Sequence, residues 1–467
     1  MTVPDTGKAR RIDALGCVLA GALVLRVLVP ILAVLFTADL SVYHTPDTKS
    51  YLALAGEMAR EGRFARQGEP ELVRTPGYPL LLAPGALLGE AELVAISLQI
   101  VLSCLTVWVV YQIGRLVFPH PGAALLGALL YAIEPLSVVY CSKLLTETLF
   151  TFSTVLFVYY LLRYLAAGGV RELLFSAAAL AASIYVRPIS YFLPGLVCAG
   201  LVVRALYGGE ARGRRLGHAA AFLALSMGPV GGWQIRNAAA AGYGGFSAIA
   251  DQNLYFYQAA SVRAAAEGES YYTTQAKMGC GNDAVYFESH PDQRGWTAAR
   301  RFRFRRREGA GIVMSHPLTY AGIHLKGMMR ALLDPGAMEL LKLFKLYPQR
   351  GGLLGVVVDK GLAGAVGHLA RNRPLVFWSS LGLGLMLCGY WVLALVGLVW
   401  GGFLRRGPGI VLVLVALYFL VMSGGPQAVG RFRHPIMPAV CVFGGIGLWL
   451  SLRKLVGKGA TPRAAAR

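Results

Sequence analysis

The stretch AELVAISLQIVLSCLTVWVVYQIGRLV, from Ala91 to Val117, carries one carboxylate at its start, Glu92, one guanidinium near its end, Arg115, and no charge between them. About 20 apolar residues in helix, rising about 1.5 Å each, cross a bilayer core. A helix satisfies its own backbone donors and acceptors inside lipid, so it is the natural spanning element. The run 91–117 therefore reads as a membrane span. Runs of the same character recur at 13–37, 122–141, 147–167, 172–187, 189–205, 216–234, 375–403, 409–424 and 435–452.

The composition agrees. Of 467 residues 56% are hydrophobic and only 15% are charged, with a mean hydropathy of +0.55. A soluble chain of this length needs more polar surface to cover its core, so the reading is an all-α polytopic membrane protein with one membrane domain over residues 1–467. The excess of 45 Lys+Arg over 24 Asp+Glu then points to anionic lipid head groups rather than nucleic acid. The seven cysteines form neither a disulfide framework nor a CxxC metal motif and read as small core residues. Lys8, Arg10 and Arg11 precede the first apolar run, which is too long for a signal-peptide core and reads as an uncleaved first helix.

Orientation follows from Lys and Arg in the short loops. Arg10 and Arg11 precede the first span, and Arg115 ends the second. Arg163 and Arg171 lie between the fourth and fifth, and Arg204, Arg212, Arg214 and Arg215 follow the sixth. Arg405 and Arg406 follow the eighth, and Arg453, Lys454 and Lys458 the tenth. All fall on one side of a ten-span arrangement, which puts both termini in the cytoplasm. The extracytoplasmic side receives the first loop, 38–90, the turn from Lys143 to Glu147, and a long loop region, 235–373. Within 38–90, the spacing of Tyr51, Leu54, Ala55 and Met58 predicts an amphipathic helix lying on the membrane. Pro76 to Leu88 is apolar but too short and proline-rich to span, and reads as a re-entrant or interfacial helix.

The same side holds the residues that could carry chemistry. Asp47 sits in His44-Thr45-Pro46-Asp47, and Arg74 opens Arg74-Thr75-Pro76-Gly77-Tyr78-Pro79. Glu147 begins a span, and Arg187 closes one as Tyr185-Val186-Arg187-Pro188. Arg236 and Asn237 follow the seventh span, and Arg431 and Arg433 lie in Gly430-Arg431-Phe432-Arg433-His434-Pro435. Each has a structural reading too. Asp47 can cap the helix it precedes, Glu147 suits a helix start, and arginines at helix ends reach for lipid phosphates. The grouping of two carboxylates and several arginines at one face is what the single readings do not explain.

Asp47-x-x-x-Tyr51, with Gly62 downstream and then Arg74-Thr-Pro-Gly-Tyr-Pro, resembles the first outer loop of the GT-C membrane glycosyltransferases. The similarity is to a bacterial branch like the protein O-mannosyltransferases and the lipid A aminoarabinose transferase. Leu145-Thr-Glu147, Trp233-x-x-Arg236-Asn237 with the later Asn253-Leu-Tyr255, and Arg431-x-Arg433-x-Pro435 follow in the family's order. Two departures bear on the substrate. Lys49 and Ser50 stand where the protein mannosyltransferases often carry an acidic residue, and Phe246 to Asn253 replaces a Ser-Thr-Asn-Gly-Gly run.

The resemblance implies a GT-C bundle of about ten helices with juxtamembrane helices, in the cell inner (plasma) membrane, with its active site on the extracytoplasmic face. It implies transfer of a hexosyl or pentosyl group from a polyprenyl-phosphate donor to a hydroxyl on a lipid, glycan or protein, with inversion. In that reading Asp47 is the base and Glu147 supports it, while Arg74, Arg187, Arg236, Arg431 and Arg433 bind the donor phosphate. Fixed guanidiniums suit a phosphate leaving group because their planar fork pairs with it. Tyr51, Tyr78, Asn237 and Asn253 are the substrate-binding candidates, and Arg74, Arg236 and Arg433 are expected to converge on one pocket. No cofactor is assigned. His44, Asp47 and Glu147 leave a divalent metal open but fall short of a recognisable site.

The basic run Arg300, Arg301, Arg303, Arg305, Arg306, Arg307 suits anionic lipid heads or an anionic acceptor. Membrane lipids are expected partners and nucleic acid is not. The rival function is a transporter or flippase of lipid-linked sugars, which would keep its ionisable residues at the midplane. Two charges do lie inside spans. Arg26 and Glu134 sit at similar depth by a rise of about 1.5 Å per residue. Intramembrane ions pair, so the two are expected to face each other or share a polar partner.

Overall fold

The computed structural model describes residues 6–207, 211–347, 364, 366–402 and 407–459. Among these the chain is helical nearly throughout. The strand pairing present is a two-residue hairpin, Ala65–Arg66 against Glu69–Pro70. Gln67 and Gly68 form its turn in the left-handed region, the conformation that a two-residue hairpin loop requires.

Six helices among the described residues are long and apolar enough to cross a membrane: Ala14–Thr37, Ala91–Val117, Glu147–Ala167, Pro188–Leu206, Pro374–Gly401 and Gly430–Leu455. The other predicted spans are helical too, but differ in length. The run 172–187 lies in the 17-residue helix Val170–Val186, and 409–424 in the 16-residue helix Gly407–Met422. The run 216–234 lies inside the 30-residue helix Arg212–Ala241. The run 122–141 is not continuous. It forms Pro121–Ala132 and Pro135–Tyr140, broken at Ile133–Glu134. Pro135 lacks the N–H that the first helix would need and pushes Glu134 into an extended conformation. The Glu134 carboxylate then caps the second piece by accepting the Ser137 N–H at 2.6 Å.

That break explains the two intramembrane charges. Arg26 is fully buried. Its guanidinium donates to the carbonyl oxygens of Ala132 (2.8 Å) and Tyr131 (3.4 Å), which end the broken helix, and to the hydroxyls of Ser103 (2.7 Å) and Ser137 (3.1 Å). Arg26 and Glu134 therefore share Ser137, one through its hydroxyl and the other through its backbone N–H. A helix end inside the bundle leaves carbonyls without partners, and an arginine satisfies them.

Gly77–Leu88 is a 12-residue helix, about 18 Å long against a core of about 30 Å. Thr48–Glu61 is amphipathic, with Tyr51, Leu54 and Ala55 buried and Gly62 ending it in the left-handed conformation. Arg163, Glu172 and Arg204 gather at the opposite end of the bundle, where Arg163 pairs with Glu172 at 3.3 Å and Arg204 donates to the Leu165 carbonyl at 3.0 Å. Arg405 and Arg406 lie outside the described residues.

Between Ala241 and Leu343 the chain forms a series of helices of 5 to 18 residues. Ile249–Asn253 runs through a π-helical turn, Leu254–Ala259, into Ala260–Glu267. Ala298–Ser315 carries the basic run, and Pro317–Leu333 follows it. Part of the basic run turns inward. Arg305 is buried over the rings of Phe256 and Tyr286, and Arg301 donates to the Trp296 carbonyl. Arg300, Arg303, Arg306 and Arg307 remain exposed.

Candidate active site

Asp47 stands at the N-terminus of the Thr48–Glu61 helix, and its side chain makes no capping hydrogen bond. One carboxylate oxygen accepts from Arg74 Nη2 at 2.7 Å, and the other lies 3.5 Å from Arg431 Nη1. The capping role open to Asp47 in the sequence is therefore not the one it performs. Burial pushes its carboxyl up, but the charges of Arg74 and Arg431 more than offset this and hold it below the usual carboxylate range.

Glu147, the first residue of its helix, is completely buried. Its Oε1 lies 3.0 Å from Arg187 Nη1 and 2.7 Å from Arg431 Nε. The Arg431 Nε–H is not aimed for a hydrogen bond, so the second contact is an ion pair alone. Arg431 thus bridges the two carboxylates from a segment far away in the chain. Three guanidiniums, Arg74, Arg187 and Arg431, face two carboxylates, which leaves the cluster with one positive charge. Tyr51 completes it. Arg74 Nη1 donates to the Tyr51 hydroxyl at 3.3 Å, and the guanidinium lies 4.9 Å from the ring centroid. Tyr78 packs edge-on against Tyr51 and donates to Gln99 Oε1 at 2.9 Å.

The local sequence fixes these positions. Glu71 Oε1 accepts the N–H groups of Val73 (2.6 Å) and Arg74 (3.0 Å) and so shapes the turn that presents Arg74. Thr75 donates to the Val186 carbonyl at 3.0 Å, tying that turn to the strand of chain that carries Arg187. Gly77 allows the approach, since a Cβ there would lie 2.7 Å from the Tyr185 carbonyl carbon and oxygen. Pro188 holds Arg187 in an extended conformation. Gln99 donates to the carbonyls of Cys141 and Lys143, and Thr48 to that of Leu144. The turn before Glu147 is thereby pinned on two sides. Lys143 donates to the Val42 carbonyl at 2.7 Å, and burial pulls its amine down to about 8.

Two of the five arginines go elsewhere, so Arg74, Arg236 and Arg433 do not converge. Arg236 donates to the carbonyls of Phe64 (2.6 Å) and Glu71 (3.1 Å) and stacks on Trp233. Arg433 donates to the carbonyls of Ala331 (2.8 Å), Leu332 (3.3 Å) and Asp334 (2.7 Å), where the Pro317–Leu333 helix ends. Both satisfy backbone acceptors that would otherwise be left open. Asn237 is buried and donates to Gly245 and Phe246 carbonyls, a turn-holding contact. Asn253 is half-buried at the start of the π-helical turn. Tyr255 packs in an aromatic group with Phe256, Tyr286 and Phe304. His44 pairs with Glu92 at 3.1 Å rather than joining Asp47. Among the described residues no three of His, Cys, Asp and Glu gather as a metal site.

Sequence reasoning missed Glu71, Gln99 and Tyr257. Glu71 left a local signal, an acid three residues before Arg74 whose carboxylate can reach back-to-back N–H groups. Tyr257 lies on the π-helical turn Leu254–Ala259, and such turns recur at functional sites.

Residues 73–233 match the family described as dolichyl-phosphate-mannose-protein mannosyltransferase. This segment holds Arg74, Glu147 and Arg187. No curated protein matches the chain. Among solved structures, the archaeal oligosaccharyltransferase AglB from Archaeoglobus fulgidus, in complex with an inhibitory peptide and a dolichol-phosphate, is 15% identical with a TM-score of 0.52. It covers 99% of this chain and 53% of its own. The apo form of the Archaeoglobus fulgidus oligosaccharyltransferase gives 0.51 at 13% identity, over 98% of this chain and 53% of its own. ArnT from Cupriavidus metallidurans in the apo state gives 0.42 at 13% identity, over 94% of this chain and 62% of its own. This chain thus spans about half the length of the oligosaccharyltransferase, and the likeness is one of fold. The chain is a polytopic membrane protein with the GT-C fold, and its segment 73–233 matches the protein-mannosyltransferase family model.

Proposed function

We propose that this protein is a membrane glycosyltransferase that moves a sugar from a polyprenyl-phosphate donor to a hydroxyl on a lipid, glycan or protein, at the extracytoplasmic face of the inner membrane. The observation that carries the reading is the bridging of Asp47 and Glu147 by Arg431, with Arg74 and Arg187 on either side. The single positive charge of this cluster favours an anionic lipid phosphate. The family match at residues 73–233 and the fold shared with an oligosaccharyltransferase support it.

The chemistry follows from the groups present. The bond from the anomeric carbon to the phosphate oxygen breaks, and its electron pair stays on the lipid phosphate. Arg74 and Arg431 hold that growing charge through paired N–H donors. The acceptor oxygen attacks from the other side, so donor binding must draw Arg74 and Arg431 away from Asp47 onto the phosphate and leave the Asp47 carboxylate free to take the acceptor's proton. A single displacement of this kind inverts the anomeric centre. Asp47 is in its proton-accepting form at neutral pH, as a carboxylate of ordinary acidity is, although the arginines that hold it low make it a weaker base than one poised near neutrality. Glu147 keeps Arg187 and Arg431 in place. Asp47 and Glu147 are paired to three arginines in a cluster of net positive charge, a setting that does not suit a divalent cation; transfer with and without a chelator decides whether one is used.

Purified protein given an undecaprenyl-phosphate sugar and a hydroxyl acceptor should release undecaprenyl phosphate in step with product. A protein that moves the intact lipid across vesicles without releasing phosphate is the transporter instead. Cysteine labelling in intact cells tests the face: position 282 should react from outside and position 213 should not. The reverse pattern overturns the orientation.

A further inference from the structure

Arg431 belongs to a stretch with little regular structure to hold it. The helix Gly407–Met422 ends, and a 3₁₀ turn, Gly430–Ile436, follows only after a connecting segment. On one side the stretch is held by the Glu147–Ala167 helix, where Thr151 Oγ1 lies 2.6 Å from His434 Nδ1, and on the other by the second half of the helix Pro317–Leu333. His324 Nε2 lies 2.9 Å from the Val421 carbonyl, and Arg330 donates to the Pro426 carbonyl at 3.3 Å. Arg433 reaches back to the carbonyls of Ala331, Leu332 and Asp334. At the centre is Asp334. One of its oxygens accepts the Gly336 N–H at 2.9 Å, and the other accepts the Gly430 N–H at 2.8 Å. Residue 430 is glycine where the two segments touch, because a Cβ there would lie 2.9 Å from the Asp334 carbonyl oxygen and 3.1 Å from its carboxyl carbon.

We propose that Asp334 is a positioning residue for Arg431. Its carboxylate straps the turn that begins at Gly430 to the end of the Pro317–Leu333 helix, and so sets where the neighbouring guanidinium meets Asp47 and Glu147. Asp334 does not touch the reacting groups. It acts one residue away through the backbone, so its loss should be felt as a misplaced Arg431. The inference rests on the donor-site reading for its binding test, and a second measurement frees it from that reading.

The first measurement is binding of undecaprenyl phosphate alone to the purified full chain in detergent, as a double-mutant cycle. Asp334→Ala should weaken binding about tenfold, as one misplaced charge-assisted hydrogen bond to phosphate would. Asp334→Asn, which keeps one acceptor oxygen, should recover part of it. In an Arg431→Ala background Asp334→Ala should add nothing, because the residue through which it acts is gone. Equal weakening in both backgrounds overturns the proposal, as does wild-type binding by folded Asp334→Ala. Should Asp334→Ala not purify as a folded protein, Gly430→Ala answers the same cycle with every charge in place. Wild-type binding by that variant overturns the proposal.

If Arg431→Ala itself binds like wild type, the donor-site reading fails, and the strap is judged by the titration of Asp47. Asp47 is faced by Arg74, Arg431, Tyr51 and Tyr257, with Glu147 and Arg187 behind them. Withdrawing one guanidinium raises a carboxyl pKa. The carboxyl infrared band assigned by Asp47→Asn should therefore titrate at higher pH in Asp334→Ala, and less so in Asp334→Asn. An unmoved band overturns the strap.

Discussion

Replacing Glu147 by glutamine keeps its shape and removes one charge from the centre of the cluster. Glu147 has no exposed side-chain surface and holds Arg187 at 3.0 Å and Arg431 at 2.7 Å. Without it two guanidiniums face each other. Breaking a buried pair by removing one partner costs about 3–5 kcal/mol. Arg187 and Arg431 keep 14% and 27% of their side-chain surface exposed, so water screens part of the repulsion and about 3 kcal/mol is the expected cost. The assay is thermal unfolding in detergent, run beside the double variant Glu147→Gln/Arg431→Gln. The single variant should lose several degrees in Tm. The double variant should recover part of that loss, because the guanidinium of Arg431, left in the single variant with Asp47 as its one carboxylate partner, no longer repels Arg187. A Glu147→Gln protein as stable as wild type, or a double variant whose losses simply add, would refute the view that Glu147 is the electrostatic pivot.

Other expectations follow from single contacts. Arg74→Lys keeps charge but loses the planar fork that reaches both Asp47 and Tyr51, so undecaprenyl-phosphate binding should weaken. Arg236→Lys should leave that binding unchanged and lower Tm instead, since its donors go to the carbonyls of Phe64 and Glu71; the two measurements on both variants check this. Gly77→Ala should cost about 1–3 kcal/mol by overpacking, because its Cβ would press on the Tyr185 backbone; unfolding in detergent reads it. The Asp47 carboxyl is held below its ordinary value, so transfer should be flat through neutral pH and fall only in acid as that carboxyl is protonated. Arg74→Gln removes one of the stabilising charges, and the acid limb of the pH–rate profile should move to higher pH.

How much of this was legible in the sequence depends on how far apart the partners lie. The turn from Arg74 to Pro79 could be read because its cues are local, and so could the amphipathic face of Tyr51, Leu54 and Ala55. The broken helix at Glu134-Pro135 was also written locally, but a hydropathy reading passes over it, since the residues on both sides are apolar. Arg236 and Arg433 look the same in sequence as Arg74 and Arg431. What separates them is whether a backbone carbonyl or a carboxylate lies within reach, and those acceptors come from positions about a hundred or more residues away. Gln99 and Asp334 gave no signal for the same reason, since each acts on a turn remote in the chain.

The measurement that bears most directly on the central claim is transfer by Asp47→Asn. Asp47 makes no capping hydrogen bond but, with 27% of its side-chain surface exposed, it pairs with both Arg74 and Arg431, so removing its charge should cost about 1–3 kcal/mol after screening. Loss of a general base costs about 100- to 10,000-fold in rate. Release of undecaprenyl phosphate from an undecaprenyl-phosphate sugar, followed alongside Tm in detergent, separates the two effects. The account predicts a folded variant whose Tm falls by a few degrees and whose rate is reduced by about that factor. A variant that unfolds normally and still releases lipid phosphate at the wild-type rate contradicts it.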